Sequence, residues 1–453
     1  MRYDIRDYSG TTMTNLMQTA SRYAASARGR NRPASVNNLA IMNLVDWVAV
    51  TLGARQAPAA QKVQRVVAGW GMQGVAPMLL GGTSAPIGAA LVNGTMAHCL
   101  DFDDLHFPSL AHLSAPTWAA VLALGAQHHA EESLMLDAFL AGFEVSARLG
   151  ANGVGKAVTD RGWHSTGVHG RISAAIASGV ILGLNEQQMA HAIAVAATQT
   201  SGLTTSFGTM AKPFHAGKAA ADGVLAAELA AAEFEGATQI LDDERSLLSA
   251  LVQDQSVQMS LATLGEDWEI ERNALKPYAC CGLTHAPIDC GRAIYAQLHG
   301  TAVTEVEVTT HELAGKVANQ RRPTTGLGGK FSLSYCVALA LTGYRATETD
   351  FSDTRLAEEG IRVLEDRVRL VADNTLEPSA ARMTAKLDDG RSLSADVAVS
   401  LGNPENPMNW LHLRDKFSSL VEPALGDRTE ALFDTLKGFE APGAFATAQA
   451  AMH

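Results

Sequence analysis

A chain of 453 residues is long for one compact core and points to two domains. Hydrophobic residues at 47% and charged residues at 18% exclude global disorder, and aromatics at only 6% point to closely packed helices of small residues rather than an aromatic-rich sandwich. Acids outnumber Lys plus Arg by 47 to 35, giving −12 at pH 7 without a long basic block, so nucleic acid and anionic membranes are disfavoured and an anionic ligand needs a local cationic pocket.

The opening MRYDIRDYSG carries acids and no apolar stretch, unlike a secretory leader, and no run of 18 apolar residues occurs to span a membrane. From about Asn37 to Leu251 helical spacing dominates. SVNNLAIMNLVDWVAVTLGA comes first, then Pro86–Leu100, Ala115–His129, Leu134–Leu149, Ile172–Leu184, Glu186–Thr198 and the Ala-rich Gly217–Phe234, with ERSLLSALV following. The pattern changes near Trp268. TAVTEVEVTT alternates like a half-buried strand, VRLVAD supplies another, and RMTAKLDDGRSLSADVAVS reads as a hairpin turning at Asp389-Gly390. FSLSYCVALALTGY and FSDTRLAEEGIRVLED between them read as helices, as do WLHLRDKFSSLVEPAL and RTEALFDTLKGF afterwards; the tail from Ala441 reads as loose. The expected architecture is mainly α: a large all-helical domain from 1–267 together with 401–453, carrying an inserted smaller α/β (α+β) lid domain over 268–400. Five cysteines, Cys99, Cys280, Cys281, Cys290 and Cys336, form no CxxC pair; the odd number argues against a disulfide framework or structural zinc and for a reducing, cytoplasmic setting.

Four segments gather polar side chains among small apolar ones. NGTMAHCLDFDDLHFPSLAH holds His98, Asp101, Asp103, Asp104, His106 and His112. An acidic helix end facing water is its plain reading, but flanking histidines, which exchange protons near neutral pH, favour a site. His and Asp also ligate metals, yet no HExxH, EF-hand or HxH spacing occurs, so proton transfer is preferred and no metal is expected. RGWHSTGVHGRISAA holds Arg161, His164, His169 and Arg171, with glycines expected to turn the backbone before a helix whose N-terminus suits a carboxylate. SFGTMAKPFHAGKAAADG holds Lys212, His215 and Lys218; Pro213 biases Lys212 toward a loop entering the next helix. LKPYACCGLTHAPIDC holds Lys276, Tyr278, Cys280, Cys281 and His285. No nucleophile elbow, phosphate loop or dinucleotide fingerprint occurs, GGKFS lacking the Walker spacing, so hydrolysis by a serine, phosphoryl transfer and hydride transfer have no support.

In this order, VNGTMAHCLDFDD, GWHSTGVHG, FGTMAKPFHAGKAAADG, LKPYACCGLTHAPID and KFSLSY resemble the MmgE/PrpD superfamily of 2-methylcitrate dehydratase, cis-aconitate decarboxylase and iminodisuccinate epimerase. The resemblance implies a helical domain with an α/β lid, a homodimer, a small di- or tricarboxylate substrate and no obligatory cofactor. It places Asp101, His112, His164, Lys212 and His285 in the cleft. The decarboxylase branch has Thr where this chain has Leu105, and its tyrosine from the smaller domain has no clear counterpart in VANQRRPTT. The expected chemistry makes or quenches a carbanion beside a carboxylate. Lys212, His164 and Arg161 are expected to bind carboxylates, with His215, Lys276 and Tyr278 as further binding candidates. His112 and Asp101 are the expected acid/base pair, and His285 closes the cleft. Dehydration is the first expectation, decarboxylation or epimerisation the second; a metal-dependent hydrolase and a non-catalytic carboxylate binder are the alternatives from other classes.

Overall fold

The computed structural model describes residues 15–252 and 256–452; the MRYDIRDYSG segment lies outside the described residues. The chain is mainly helical, with a small amount of sheet. At its centre the helix Ala211–Ala231 packs on Pro86–His98, Ser165–Leu182 and Ser114–His128. Small residues make this close approach possible. A Cβ on Gly217 would come within 2.1 Å of Thr95 Oγ1 and 2.3 Å of the Leu91 carbonyl, so the Pro86–His98 and Ala211–Ala231 helices touch almost backbone to backbone. The helix Ala34–Gly53, continued to Gln56, is long and apolar enough to cross a membrane, but 83% of its apolar window is buried inside the fold. It is covered by Trp410–Leu425 and Thr429–Lys437, so the end of the chain packs back on its beginning.

A four-stranded sheet follows the order Val368–Ala372, Val303–Thr310, Ala381–Leu387, Ser392–Val397; the first pair is parallel and the rest antiparallel. His285–Leu298 and Leu333–Leu341 cover it, and Ile294, Val306, Val308, Val337, Met383 and Ala385 form a second hydrophobic cluster. Leu333–Leu341 is buried on two sides: Leu333, Val337 and Leu341, four apart, face the sheet, while Tyr335, Cys336 and Leu339 join the main core.

Several expectations are corrected. The segment after Ala441 is not loose: Ala444–Met452 is a helix, Phe445 is buried, and its N–H donates to Glu132 Oε1 at 2.9 Å. Lys212 is not on a loop, because the helix begins at Ala211; Pro213 sits in the first turn, where its missing N–H costs no helical bond. The helix expected from Ile172 begins at Ser165, so His169 and Arg171 are helical, and Gly167 and Gly170 allow close packing against Ser201 and Pro116 instead of making turns. The helical part also contains two short ribbons, Ala76–Pro77 with Thr83–Ser84 and Leu105–His106 with Asn273–Ala274.

Candidate active site

The helix Pro86–His98 ends in an acidic turn. Asp101 adopts a left-handed conformation there, at φ 53°, one that short polar residues tolerate better than most. After the turn, the ribbon Leu105–His106 anchors the chain to Asn273–Ala274. Asp104 is not presented to a ligand: its Oδ2 accepts from Ser114 Oγ at 2.7 Å and Asn273 Nδ2 at 2.8 Å. Asp101 Oδ1 instead receives Lys212 Nζ at 2.5 Å and lies 3.3 Å from Lys276 Nζ, which also donates to the Asp101 carbonyl at 2.7 Å. Burial alone would push the Asp101 carboxyl up, but the two ammonium groups, with His112 and His98 nearby, outweigh it and hold Asp101 well below the usual carboxylate range. Against the burial that would lower it, the charges of Asp101 and Asp103 raise the Lys276 ammonium.

A second buried group forms around Asp103. His98 Nδ1 donates to Asp103 Oδ2 at 2.7 Å, and His112 Nδ1 lies 3.3 Å from the same oxygen, at ion-pair distance. The His98 ring lies 4.6 Å from that of His112 and is stacked on His164 at 5.6 Å. His164 directly precedes the helix Ser165–Leu182 without capping it by its side chain, and its Nδ1 meets His215 Nδ1 at 3.0 Å, so one of these nitrogens carries a proton and the other accepts it. Burial lowers His98 to about 4 despite the opposing charge of Asp103, leaving a neutral ring with its proton on Nδ1. Burial would raise Asp103, but His98 and His112 outweigh it and hold the carboxyl well below its usual range. Burial first, then the neighbouring His98 ring, the Lys212 ammonium and the His112 ring, hold His164 well below the ordinary imidazole range; burial, Arg171 and Lys212 lower His215. A neutral His164 beside an ammonium is a hydrogen-bonding group rather than a cation.

A cavity of about 770 Å³ opens onto His98, Asp101 and Lys212; Lys330, Phe331 and Glu348 contribute to its wall. Lys330 Nζ donates to Glu348 Oε2 at 2.6 Å. Burial, against the pull of Lys330, raises the Glu348 carboxyl.

Asp101, Lys212, His112, His164, His215 and Lys276 are thus gathered in one region. Arg161 is exposed at the end of the helix Val154–Asp160. Tyr278 is buried, donates to Asp289 and borders a different cavity with Arg292 and Lys416. His285 starts its helix, with Nε2 3.2 Å from the Cys280 carbonyl and its ring 5.3 Å from Tyr278, so these groups rather than the Asp101 turn surround it. The expected partner of His112 was Asp101; the nearer carboxylate is Asp103. His98 and Asp103, five residues apart on either side of the turn, carry that signal in the sequence. Lys330 lies within KFSLSY, one of the segments that carry the family resemblance.

One ring nitrogen each of His98 and His112 and one carboxylate oxygen of Asp103 lie within 4.8 Å of one another, the one set among the described residues with the donor atoms for a metal ion. The donor set suits a divalent transition metal, but Asp103 Oδ2 is already taken by the His98 proton, and a metal there would displace that bond.

Family models match most of the chain: the MmgE/PrpD N-terminal domain over residues 18–260 and the MmgE/PrpD C-terminal domain over 278–437. Among curated relatives, a protein named cis-aconitate decarboxylase from Aspergillus terreus is 27% identical over 394 residues, covering 78% of this chain and 79% of its own. A cis-aconitate decarboxylase-like protein, oryM, from Aspergillus oryzae is 24% identical over 423 residues, 87% and 88% of the two chains. The cis-aconitate decarboxylase of Homo sapiens is 25% identical over 380 residues, 78% and 77%.

Proposed function

Because the chain belongs to the MmgE/PrpD family, we propose that it is a lyase that breaks a bond beside a carboxylate of a small di- or tricarboxylate. The observation that carries this reading is the cavity lined by the Lys212–Asp101 pair and by His98, behind which Asp103 and His112 stand in contact with His98. Lys212 spends one N–H on Asp101 and keeps two donors for a substrate carboxylate, and neutral His164 adds a hydrogen bond. His112, backed by the Asp103 carboxylate, exchanges the proton at carbon. Asp101, locked between two ammonium groups, positions Lys212 rather than carrying the proton. Lid closure over the cavity by the 268–400 region would exclude water.

Decarboxylation is favoured by the names of the relatives. The C–C bond to one carboxylate breaks, CO2 leaves, and the electron pair left on carbon takes the His112 proton. Dehydration of a hydroxy acid is the second reading, favoured by Leu105. The resemblance implies Thr there in the decarboxylase branch, and here Leu105 is tied into the ribbon with Ala274. In that case His112 removes the α-proton and returns it to the leaving hydroxyl, which departs as water.

Proton NMR in D2O with cis-aconitate, citrate, 2-methylcitrate and iminodisuccinate tests both readings. Deuterium entering a carbon beside a carboxylate, with CO2 or water lost, supports the lyase and names the branch. Deuterium exchange without loss makes it an epimerase, and no reaction with any of the four overturns the proposal. The family resemblance also makes a homodimer the proposed assembly, which light scattering of the purified protein tests.

A further inference from the structure

Three consecutive carbonyls of the acidic turn each accept a hydrogen bond from a different buried lysine. Lys330 Nζ donates to the Leu100 carbonyl at 2.5 Å, Lys276 Nζ to that of Asp101 at 2.7 Å, and Lys416 Nζ to that of Phe102 at 2.7 Å. The lysines are 4–5% exposed and lie far from the turn in sequence, one before the helix His285–Leu298, one before Leu333–Leu341 and one inside Trp410–Leu425. Each is neutralised where it stands: Lys330 by Glu348 at 2.6 Å, Lys416 by Asp46 at 2.5 Å, and Lys276 by Asp101 itself. A carbonyl of an ordinary surface turn bonds to water, which leaves the peptide plane free to rotate. Here each of three peptide planes is fixed by a buried ammonium group that is itself paired with a carboxylate, buried at Asp46 and Asp101 and half-buried at Glu348. The residue in the middle is Asp101, the left-handed one that carries Lys212.

We propose that Lys330, Lys276 and Lys416 form a clamp that holds the Leu100–Phe102 turn in the one conformation that presents Asp101 to Lys212, making Lys416 and Lys330 positioning residues of the site. The inference rests on the functional reading only for its effect on turnover. Lys416 lies away from the substrate cavity, and among the described residues it meets the turn through the Phe102 carbonyl and ring and is paired with Asp46; its charge is also felt at Asp103 and Lys276, so the pair is removed together to leave the net charge there unchanged.

The test is Lys416→Met combined with Asp46→Asn, which removes the donor without leaving a lone buried charge. Lys330→Met with Glu348→Gln is the second variant should the first fail to fold. Crystal structures of the variants read the Asp101 φ and the Lys212–Asp101 distance, and steady-state kinetics read kcat and KM separately. Asp101 leaving the left-handed region, the Lys212–Asp101 pair opening beyond hydrogen-bond distance and, for the Lys416 variant, kcat falling about tenfold or more with KM within about threefold, are expected. Asp101 unchanged and still paired with Lys212 in the folded variants overturns the clamp, whatever their rates. Should the wild-type chain act on none of the carboxylates, the lyase reading falls while the variant structures still decide the clamp.

Discussion

Replacing Asp103 with Asn tests the proton-transfer chain at its most connected point. Asp103 Oδ2 takes the Nδ1 proton of His98 at 2.7 Å and faces His112 Nδ1 at 3.3 Å. Asn has the same shape but no charge; its carbonyl oxygen can still face both ring nitrogens that meet Oδ2, with its NH2 in the place of Oδ1. An imidazolium formed at His112 then loses its counter-charge. Two unit charges 3.3 Å apart attract by about 5 kcal/mol at an effective dielectric of about 20. At about 1.4 kcal/mol per factor of ten this sets a ceiling of between three and four orders of magnitude in rate. The retained amide contacts recover part of it, so kcat is expected to fall by about two to three orders of magnitude. The assay is the rate of deuterium entry beside the substrate carboxylate, followed by proton NMR, with circular dichroism and thermal unfolding to establish a native fold. Turnover within about threefold of wild type in a correctly folded Asp103→Asn variant refutes the role of Asp103 and, with it, of the chain.

Lys212→Ala removes the ammonium group that Asp101 holds at the cavity and is expected to lower kcat/KM by about two orders of magnitude or more; a near-normal value measured with the identified substrate removes Lys212 from the mechanism. His169 is wholly buried, neither ring nitrogen has a hydrogen-bond partner, and burial with His106 lowers it to about 4. Between pH 4 and 6.5 the unfolded chain binds a proton there that the folded chain rejects, so stability rises with pH across that window and levels off above it. His169→Leu should therefore flatten the pH dependence of unfolding free energy by up to about 3 kcal/mol over that range, and an unchanged denaturant midpoint profile from pH 4 to 7 counts against it. Phe445→Ala, in the helix that closes the chain, should cost about 3 kcal/mol or more in chemical unfolding; a loss under about 0.5 kcal/mol would mean that the helix contributes little.

Helical periodicity and small-residue composition carried the mainly helical character of the chain and the place of its sheet, because buried helices and a half-buried sheet imprint periods of 3.6 and 2 on the sequence. The hairpin around Asp389-Gly390 and the strand at Val306 fall where alternation places them. Helix starts were less legible: the Ser165 and Ala211 helices begin about six or seven residues before their apolar pattern does, since the first turn is buried throughout at Ser165 and only partly buried at Ala211, and neither carries an amphipathic signal. The chemical groups of the site were legible as polar residues in apolar surroundings, and Asp101, His112, His164 and Lys212 were picked out as such. Their pairing was not. Sequence distance favoured neither Asp101 nor Asp103 as the neighbour of His112, and only the left-handed turn at Asp101 sends one carboxylate to Lys212 and the other to the histidines. That turn depends on lysines brought from about 175, 230 and 314 residues away. The sequence by itself determined which groups are available to move a proton beside a carboxylate. The tertiary structure decided which carboxylate meets which base, because hydrogen bonds a few ångströms long are set by packing and not by spacing along the chain.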